Sequence, residues 1–229
     1  VDGTYEATLR AARWAREARV PLQLNTLVTA EALDDLPALY ELAGSLDIMR
    51  WSLFFLVPVG RGTALPEISA EEAEVVMHWL ATRATEAPFA IAATEAPHFR
   101  RVALSMMRER RMTFQAIRQH PVGRGFGIRD GNGVMFISHR GEVTPAGFLY
   151  VVTGNVRERS PVELYRSHEV FVALRDPARL RGKCGRCEYR ELCGGSRARA
   201  FARCGDYLES DPLCAYVPGG ASAAMELRA

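Results

Sequence analysis

At 229 residues the chain is long enough to bury a proper core, and about 150 residues per domain gives one or two domains. Hydrophobic residues make up 48% and charged residues 24%, which excludes wholesale disorder, and the longest apolar run, Leu53 to Val57, falls far short of the roughly 18 residues of a membrane span. No basic segment followed by an apolar one opens the chain, so a soluble cytoplasmic protein without a membrane partner is expected, and the net charge of +2 argues neither for nor against nucleic acid, which is not the favoured partner.

In chain order, residues 4–18 form a helical pattern around Leu9, Ala12 and Trp14, closed by Pro21. Residues 21–28 alternate, with Leu22, Leu24, Thr26 and Val28 opposite Gln23, Asn25 and Leu27, as a strand does. Residues 29–46 are expected to be helical. Residues 48–57 read as a strand that ends in the turn Pro58-Val59-Gly60-Arg61-Gly62. Ser69 and Glu72 make a capping box for a helix to about Ala84, 89–93 is a short strand, and 97–117 is helical again. Strands alternating with helices in this way imply βα units around a parallel sheet.

The pattern changes near His120, where a domain boundary is expected. Gly123, Gly125, Gly127, Gly131 and Gly133 punctuate a loop, and residues 134–138 and 142–144 flank the hairpin turn His139-Arg140-Gly141. Short helices follow over 161–166 and 170–175. The chain opens on Val1 in a helical pattern, whereas a βα protein normally lays down a strand first. The sequence is therefore expected to be the latter part of something longer, or to begin at an alternative start.

All five cysteines, Cys184, Cys187, Cys193, Cys204 and Cys214, lie in the last fifth, spaced C-x2-C-x5-C-x10-C-x9-C. An odd count in so large a chain without a signal argues against a disulfide scaffold and for metal. Zinc sites of four cysteines usually show two C-x2-C knuckles, and only Cys184 and Cys187 form one here. Three thiolates from a compact loop plus a distant fourth suit the larger [4Fe–4S] cubane better, although thiolate ligation serves either metal. Lys183 is the only lysine, and Arg175, Arg179, Arg181, Arg186, Arg190, Arg197, Arg199 and Arg203 crowd the same stretch. They are expected to form a solvated face, or else to meet a carboxylate or phosphate partner.

The segment from Arg181 to Ala198, with Asp211-Pro212-Leu213-Cys214 downstream, resembles the SPASM domain, the auxiliary iron–sulfur extension of radical S-adenosylmethionine (SAM) enzymes. The preceding alternation resembles the second half of the radical SAM partial (β/α)6 TIM-like barrel, and Gly133 to Leu149 with Gly154-Asn155-Val156-Arg157 resembles the SPASM hairpin of the branch containing alternative-pathway heme synthases and heme d1 maturases. The fold this implies is α/β: the C-terminal part of a barrel over 1–120, a small irregular SPASM domain with a β-hairpin over 121–218, and a tail over 219–229.

A full SPASM domain binds two auxiliary clusters, but this chain has Ala146 after the hairpin Pro145, and Arg197, separated from Cys193 by three residues, at positions where ligands of the first would fall. The set for the second, Cys184, Cys187, Cys193 and Cys214, is intact. One auxiliary [4Fe–4S] cluster is therefore expected, with Cys204 left over. The SAM-cleaving C-x3-C-x2-C motif is missing, so SAM and its own cluster require an upstream half, in the same protein or on a separate chain. With that half present, Asn25 and Thr26 would face SAM, and Arg61 would meet a carboxylate of SAM or substrate. The implied function is an iron–sulfur oxidoreductase that modifies a porphyrin by radical side-chain decarboxylation, with ferredoxin or flavodoxin as electron donor. The alternatives are a maturase acting on a peptide substrate and a zinc-stabilised, non-enzymatic binding module.

Overall fold

The computed structural model describes residues 3–119 and 127–219. Helix α1 (Thr4–Glu17) buries Ala12 and leaves Tyr5 and Trp14 exposed. Strands β1 (Gln23–Val28), β2 (Arg50–Phe55) and β3 (Ala90–Thr94) form a parallel sheet in the order β1-β2-β3, with Asn25 beside Ser52 and Ser52 beside Ala92. Helices α2 (Leu36–Ser45) and α3 (Ala70–Arg83) supply the connections. Because successive side chains alternate across a strand, Val28, Trp51, Leu53 and Phe55 share one face. They pack there with Ala43 of α2, Met77 and Leu80 of α3, and Val102 of α4 (Phe99–Glu109). The other face carries Asn25, Leu27 and Phe54, and is only partly covered.

The expected alternation of strands and helices is observed, with two departures. Residues 29–46 do not form one helix: a 3-10 turn over Ala30–Ala32 precedes α2, because Pro37 fits only in the first turn of a helix. Residues 97–117 divide into α4 and α5 (Phe114–Gln119) at Arg111, whose φ of 55° ends the first helix. The capping box is formed: Ser69 N donates to Glu72 Oε2 at 2.7 Å and Glu72 N donates to Ser69 Oγ at 3.1 Å.

Strands β4 (Phe136–Ile137) and β5 (Glu142–Thr144) form the expected hairpin, and β6 (Gly154–Asn155) extends it into an antiparallel sheet in the order β4-β5-β6. Four short helices follow: α6 (Pro161–Ser167), α7 (Glu169–Arg175), α8 (Gly182–Arg186) and α9 (Arg197–Cys204). The last two, in the cysteine region, are not legible in its periodicity. This part packs directly on the parallel sheet's core, since Leu192 and Leu213 are buried among its residues. The boundary expected at residue 120, Gly123, Gly125 and nearly all of the tail lie outside the described residues. Among the described residues no helix is long and apolar enough to cross a membrane.

Candidate metal centre and the adjoining cleft

Four of the five cysteines come together. Cys184 lies on α8, Cys187 at its C-terminal end, and Cys193 begins the turn Gly194-Gly195 that leads to α9. Cys214 returns from far along the chain because the intervening segment is stitched to α8. Arg181 N donates to Leu208 O at 2.8 Å, Lys183 N to Ser210 Oγ at 2.8 Å and Asp211 N to Cys184 Sγ at 3.4 Å. Cys184, Cys187, Cys193 and Cys214 line one cavity, walled by His98, Arg101, Tyr189 and Tyr216. Cys204 is exposed at the end of α9, with its thiol on Ala200 O.

Gly194 and Gly195 adopt φ of 70° and 66°, the left-handed region that favours glycine. A Cβ at Gly195 would lie 2.7 Å from Asp211 Cβ and 3.2 Å from Cys184 Sγ, so the backbone approaches the sulfurs as closely as it does only without a side chain. Gly195 N in turn donates to Cys193 Sγ at 3.4 Å. His98 is wholly buried against the cavity, and neither ring nitrogen has a hydrogen-bond partner among the described residues. Burial lowers its imidazole to about 4, leaving a neutral ring whose Nδ1 lies 3.8 Å from Asp211 Oδ2. Burial pushes the Cys193 thiol up to about 12 and Cys187 up to about 11, and it raises Cys214 as well. Thiols so placed ionise only against compensating positive charge, which metal ligation provides. Four soft donors, amide N–H groups aimed at two of them and a buried imidazole with no hydrogen bond of its own together fit a thiolate-held inorganic cluster. Among the described residues no group of three or more His, Cys, Asp or Glu is arranged to hold a single metal ion.

Beyond the C-terminal ends of the parallel strands lies a second cavity of about 630 Å³, bordered by Asn25, Thr26, Leu27, Phe54, Val57, Arg61, Glu95 and Phe148. Its size is that of a small-molecule site. The structure brings Asn25 and Arg61 to this cleft, Asn25 on the open face of β1 and Arg61 exposed on a 3-10 turn over Gly60–Ala64. Thr26 borders the same cleft, but its hydroxyl is on the helix-facing side and accepts the Trp51 Nε1 hydrogen bond at 2.8 Å. Neighbouring residues of a strand cannot both point into one cleft.

A buried polar layer joins cleft and cysteine loop. Arg199, completely buried, donates to Leu56 O (3.1 Å), Phe55 O (3.3 Å) and Glu95 O (2.7 Å), and to the Asp211 carboxylate at 3.2 and 3.3 Å. Ser196 donates its hydroxyl to Glu95 Oε2 at 2.8 Å and its amide to Asp211 Oδ2 at 2.7 Å. Burial alone would raise Asp211, but Arg199 and the Ser196 amide hold it below its ordinary value. Burial and the Asp130 carboxylate raise Glu95 to about 7. Glu95 also holds a left-handed φ of 57°, strained for a side chain of its kind.

The arginine stretch is therefore not one solvated face. Arg197 and Arg199 are buried, Arg203 pairs with Glu67, Arg181 pairs with Asp206 at 2.7 Å, and Arg175 binds the Tyr165 and Arg166 carbonyls.

Compared with known proteins, the chain is 39% identical over 219 residues to an AdoMet-dependent heme synthase of Methanosarcina barkeri, covering 96% of this chain and 63% of that one. It is 28% identical over 230 residues to a pre-heme d1 synthase of Dinoroseobacter shibae (93% and 56%) and 28% identical over 227 residues to a PqqA peptide cyclase of Rhodopseudomonas palustris (94% and 55%). The chain is a homologue of the AdoMet-dependent heme synthases. It spans 55–63% of the length of these three relatives. In fold it resembles the crystal structure of Streptococcus suis SuiB bound to S-adenosylmethionine, with a TM-score of 0.60 at 14% identity over 91% of this chain and 48% of that one. No protein-family model matches the sequence.

Three residues of this site escape the sequence reading. His98 stands at the N-cap position of α4 without a side-chain capping bond, and it walls the cysteine cavity. Glu95 and Arg199 carry no motif. The one sequence signal for Glu95 is its place directly after a strand, where βα proteins gather their functional groups.

Proposed function

We propose that the chain is the C-terminal portion of a radical SAM/SPASM iron–sulfur oxidoreductase acting on a tetrapyrrole. Residues 1–120 would end its partial barrel and 121–218 would hold one auxiliary [4Fe–4S] cluster. The observation that carries this reading is the convergence of Cys184, Cys187, Cys193 and Cys214 on one cavity, with Cys204 left outside it. A cubane takes one thiolate at each of four separate irons, so it asks for less convergence than a single zinc ion does. When bound, such a group supplies one-electron chemistry beside the cleft.

The chain's own residues would do the rest. Leu27, Phe54 and Phe148 give the cleft an apolar wall suited to a flat macrocycle, and Arg61 at its rim is the cation for a propionate or for the SAM carboxylate. Asn25 offers its amide from the middle of β1, and Thr26 supports the strand from behind through Trp51. Tyr189 and Tyr216, in edge contact at 5.6 Å, cover the cysteine cavity and keep water from it. SAM cleavage needs a C-x3-C-x2-C motif that these residues do not contain, so the radical step calls for an upstream half, with a ferredoxin or flavodoxin as electron source.

Anaerobic reconstitution with iron and sulfide tests the reading. About four irons per chain with a broad absorbance near 400 nm, lost in Cys193→Ala, is the expected result. A colourless protein with one zinc in the same site would refute it. A peptide substrate is the second reading, favoured by the relatedness to a PqqA peptide cyclase and by the exposed apolar Phe148 that borders the cleft. Binding of a carboxylated porphyrin that Arg61→Ala weakens decides for the tetrapyrrole. The zinc-stabilised module loses support because Arg197, Arg199, Arg203 and Arg181 are engaged within the chain.

A further inference from the structure

We propose that Arg197 is the buried counter-ion of the auxiliary cluster, binding the Cys184 sulfur and raising the reduction potential of the group held there. This rests on the iron–sulfur reading above and adds to it a residue that is not a ligand.

Arg197 has no solvent exposure. Its Nε donates to Gly195 O at 3.1 Å, its Nη1 to Tyr207 O at 3.2 Å and to Glu209 O, and its Nη2 to Cys184 Sγ at 3.6 Å. Every one of these acceptors is a neutral carbonyl except the sulfur. The nearby Asp211 is claimed by Arg199, and Asp130 accepts the Ala198 amide at 2.8 Å. Among the described residues Arg197 makes no ion pair. A guanidinium taken wholly out of water is stabilised by negative charge; the buried Asp130 and Asp211 carboxylates supply part of it through space, and a cluster-bound Cys184 thiolate is the anion to which Arg197 donates directly. Arg129, also buried, approaches Gly194 from the other side, but it bonds to the Gly127 and Leu174 carbonyls and to no ligand sulfur.

Reduction adds one negative charge to the cluster. A fixed cation with an N–H on a ligand sulfur stabilises the reduced form more than the oxidised form, which moves the potential upward. In sequence, Arg197 and the buried Ala146 stand at two positions where the resemblance puts ligands of another cluster, so this chain has a charge and a methyl group there in place of two thiolates.

The test reconstitutes the wild type, Arg197→Lys, Arg197→Gln and, as a control on the same helix, Arg203→Gln. Each is titrated redox-wise while the visible band and the reduced-state paramagnetic signal are followed. The expected potentials fall in the order wild type, Lys, Gln, since Lys keeps the charge but loses the directed N–H and Gln loses the charge; Arg203→Gln matches the wild type. Should Arg197→Gln not fold, Arg197→Lys carries the test with its own smaller fall. Clusters formed at unchanged potential in the Arg197 variants would overturn this proposal alone. A wild type that takes up no iron and sulfide would overturn the cluster reading and this proposal with it.

Discussion

Replacing Arg199 by Met removes the cation that Asp211 faces and withdraws the donors from three carbonyls at the ends of β2 and β3. Breaking one side of a buried ion pair costs about 3–5 kcal/mol, mostly because the other charge is left unpaired in low dielectric. Against a total stability of roughly 5–15 kcal/mol that is a large share. At about 2–4 °C per kcal/mol for a chain of this size, it corresponds to a fall in Tm of roughly 6–20 °C. The sign with pH is also fixed. In the wild type Asp211 sits below its ordinary value, so its contribution is present above the unfolded carboxylate range and is lost on acidification. In the variant, burial without Arg199 raises it, so the deficit is largest at neutral pH and shrinks as pH falls through the carboxylate range. Arg199→Met/Asp211→Asn is expected to recover about 1–2 kcal/mol of the loss, since the orphaned charge is gone. Urea denaturation of the full chain followed by circular dichroism measures all of this. A single-variant cost below about 1 kcal/mol, or a double variant no more stable than the single, would refute the reasoning.

Other predictions follow from the same geometry. Thr26→Val leaves the buried Trp51 indole N–H without an acceptor and should cost about 1–3 kcal/mol in denaturation, with porphyrin affinity unchanged; Asn25→Ala should do the opposite on both counts. Gly195→Ala is expected to abolish iron uptake, because its methyl group meets Asp211, Arg197 and Cys184, whereas Gly205→Ala, with φ of 72° and nothing within 4 Å, should retain full iron at a cost of about 1 kcal/mol. Cys204→Ser should hold as much iron and sulfide as the wild type. For Glu95, raised from 4.5 to about 7, the folded state keeps a proton that the unfolded state has lost between those values, so stability falls as pH rises through that window. Glu95→Gln removes that slope and is more stable than the wild type above pH 7, a gain of about 1–3 kcal/mol seen in pH-dependent denaturation.

Much of the fold could be read from the sequence because its signals are local. Alternation in residues 21–28 and the Ser69/Glu72 capping box each depend on a few neighbours, and both appear as read. The helix spans read too long at Pro37 and Arg111, where a single backbone constraint overrides periodicity. Spacing singles out Cys184, Cys187 and Cys193, whereas the choice of Cys214 over Cys204 as the fourth rests on the resemblance to the SPASM domain. The arginines were not legible. An arginine in an exposed ion pair, such as Arg203, and one buried against three carbonyls, such as Arg199, look identical in composition. What separates them is contact across more than 100 residues of chain, as between Arg199 and Glu95. His98 was missed for the same reason: its neighbours at the cavity come from positions 184–216.

The buried layer between cleft and cysteine loop makes the two sites one mechanical unit. Buried ion pairs stabilise no better than well-packed apolar groups of equal volume, so Arg199 and Asp211 are best understood through what they hold in place. Arg199 grips the carbonyls of Phe55 and Leu56, which border the cleft, and that of Glu95, while Asp211 receives the Ser196 amide three residues after Cys193 and gives its own amide to Cys184. A shift of the cysteine loop therefore pulls on the cleft floor through strong, directional bonds rather than through pliant apolar contact. An electron passing between a substrate in the cleft and a cluster on the loop would cross a fixed gap, spanned by Glu95, which borders the cleft and accepts the Ser196 hydroxyl hydrogen bond.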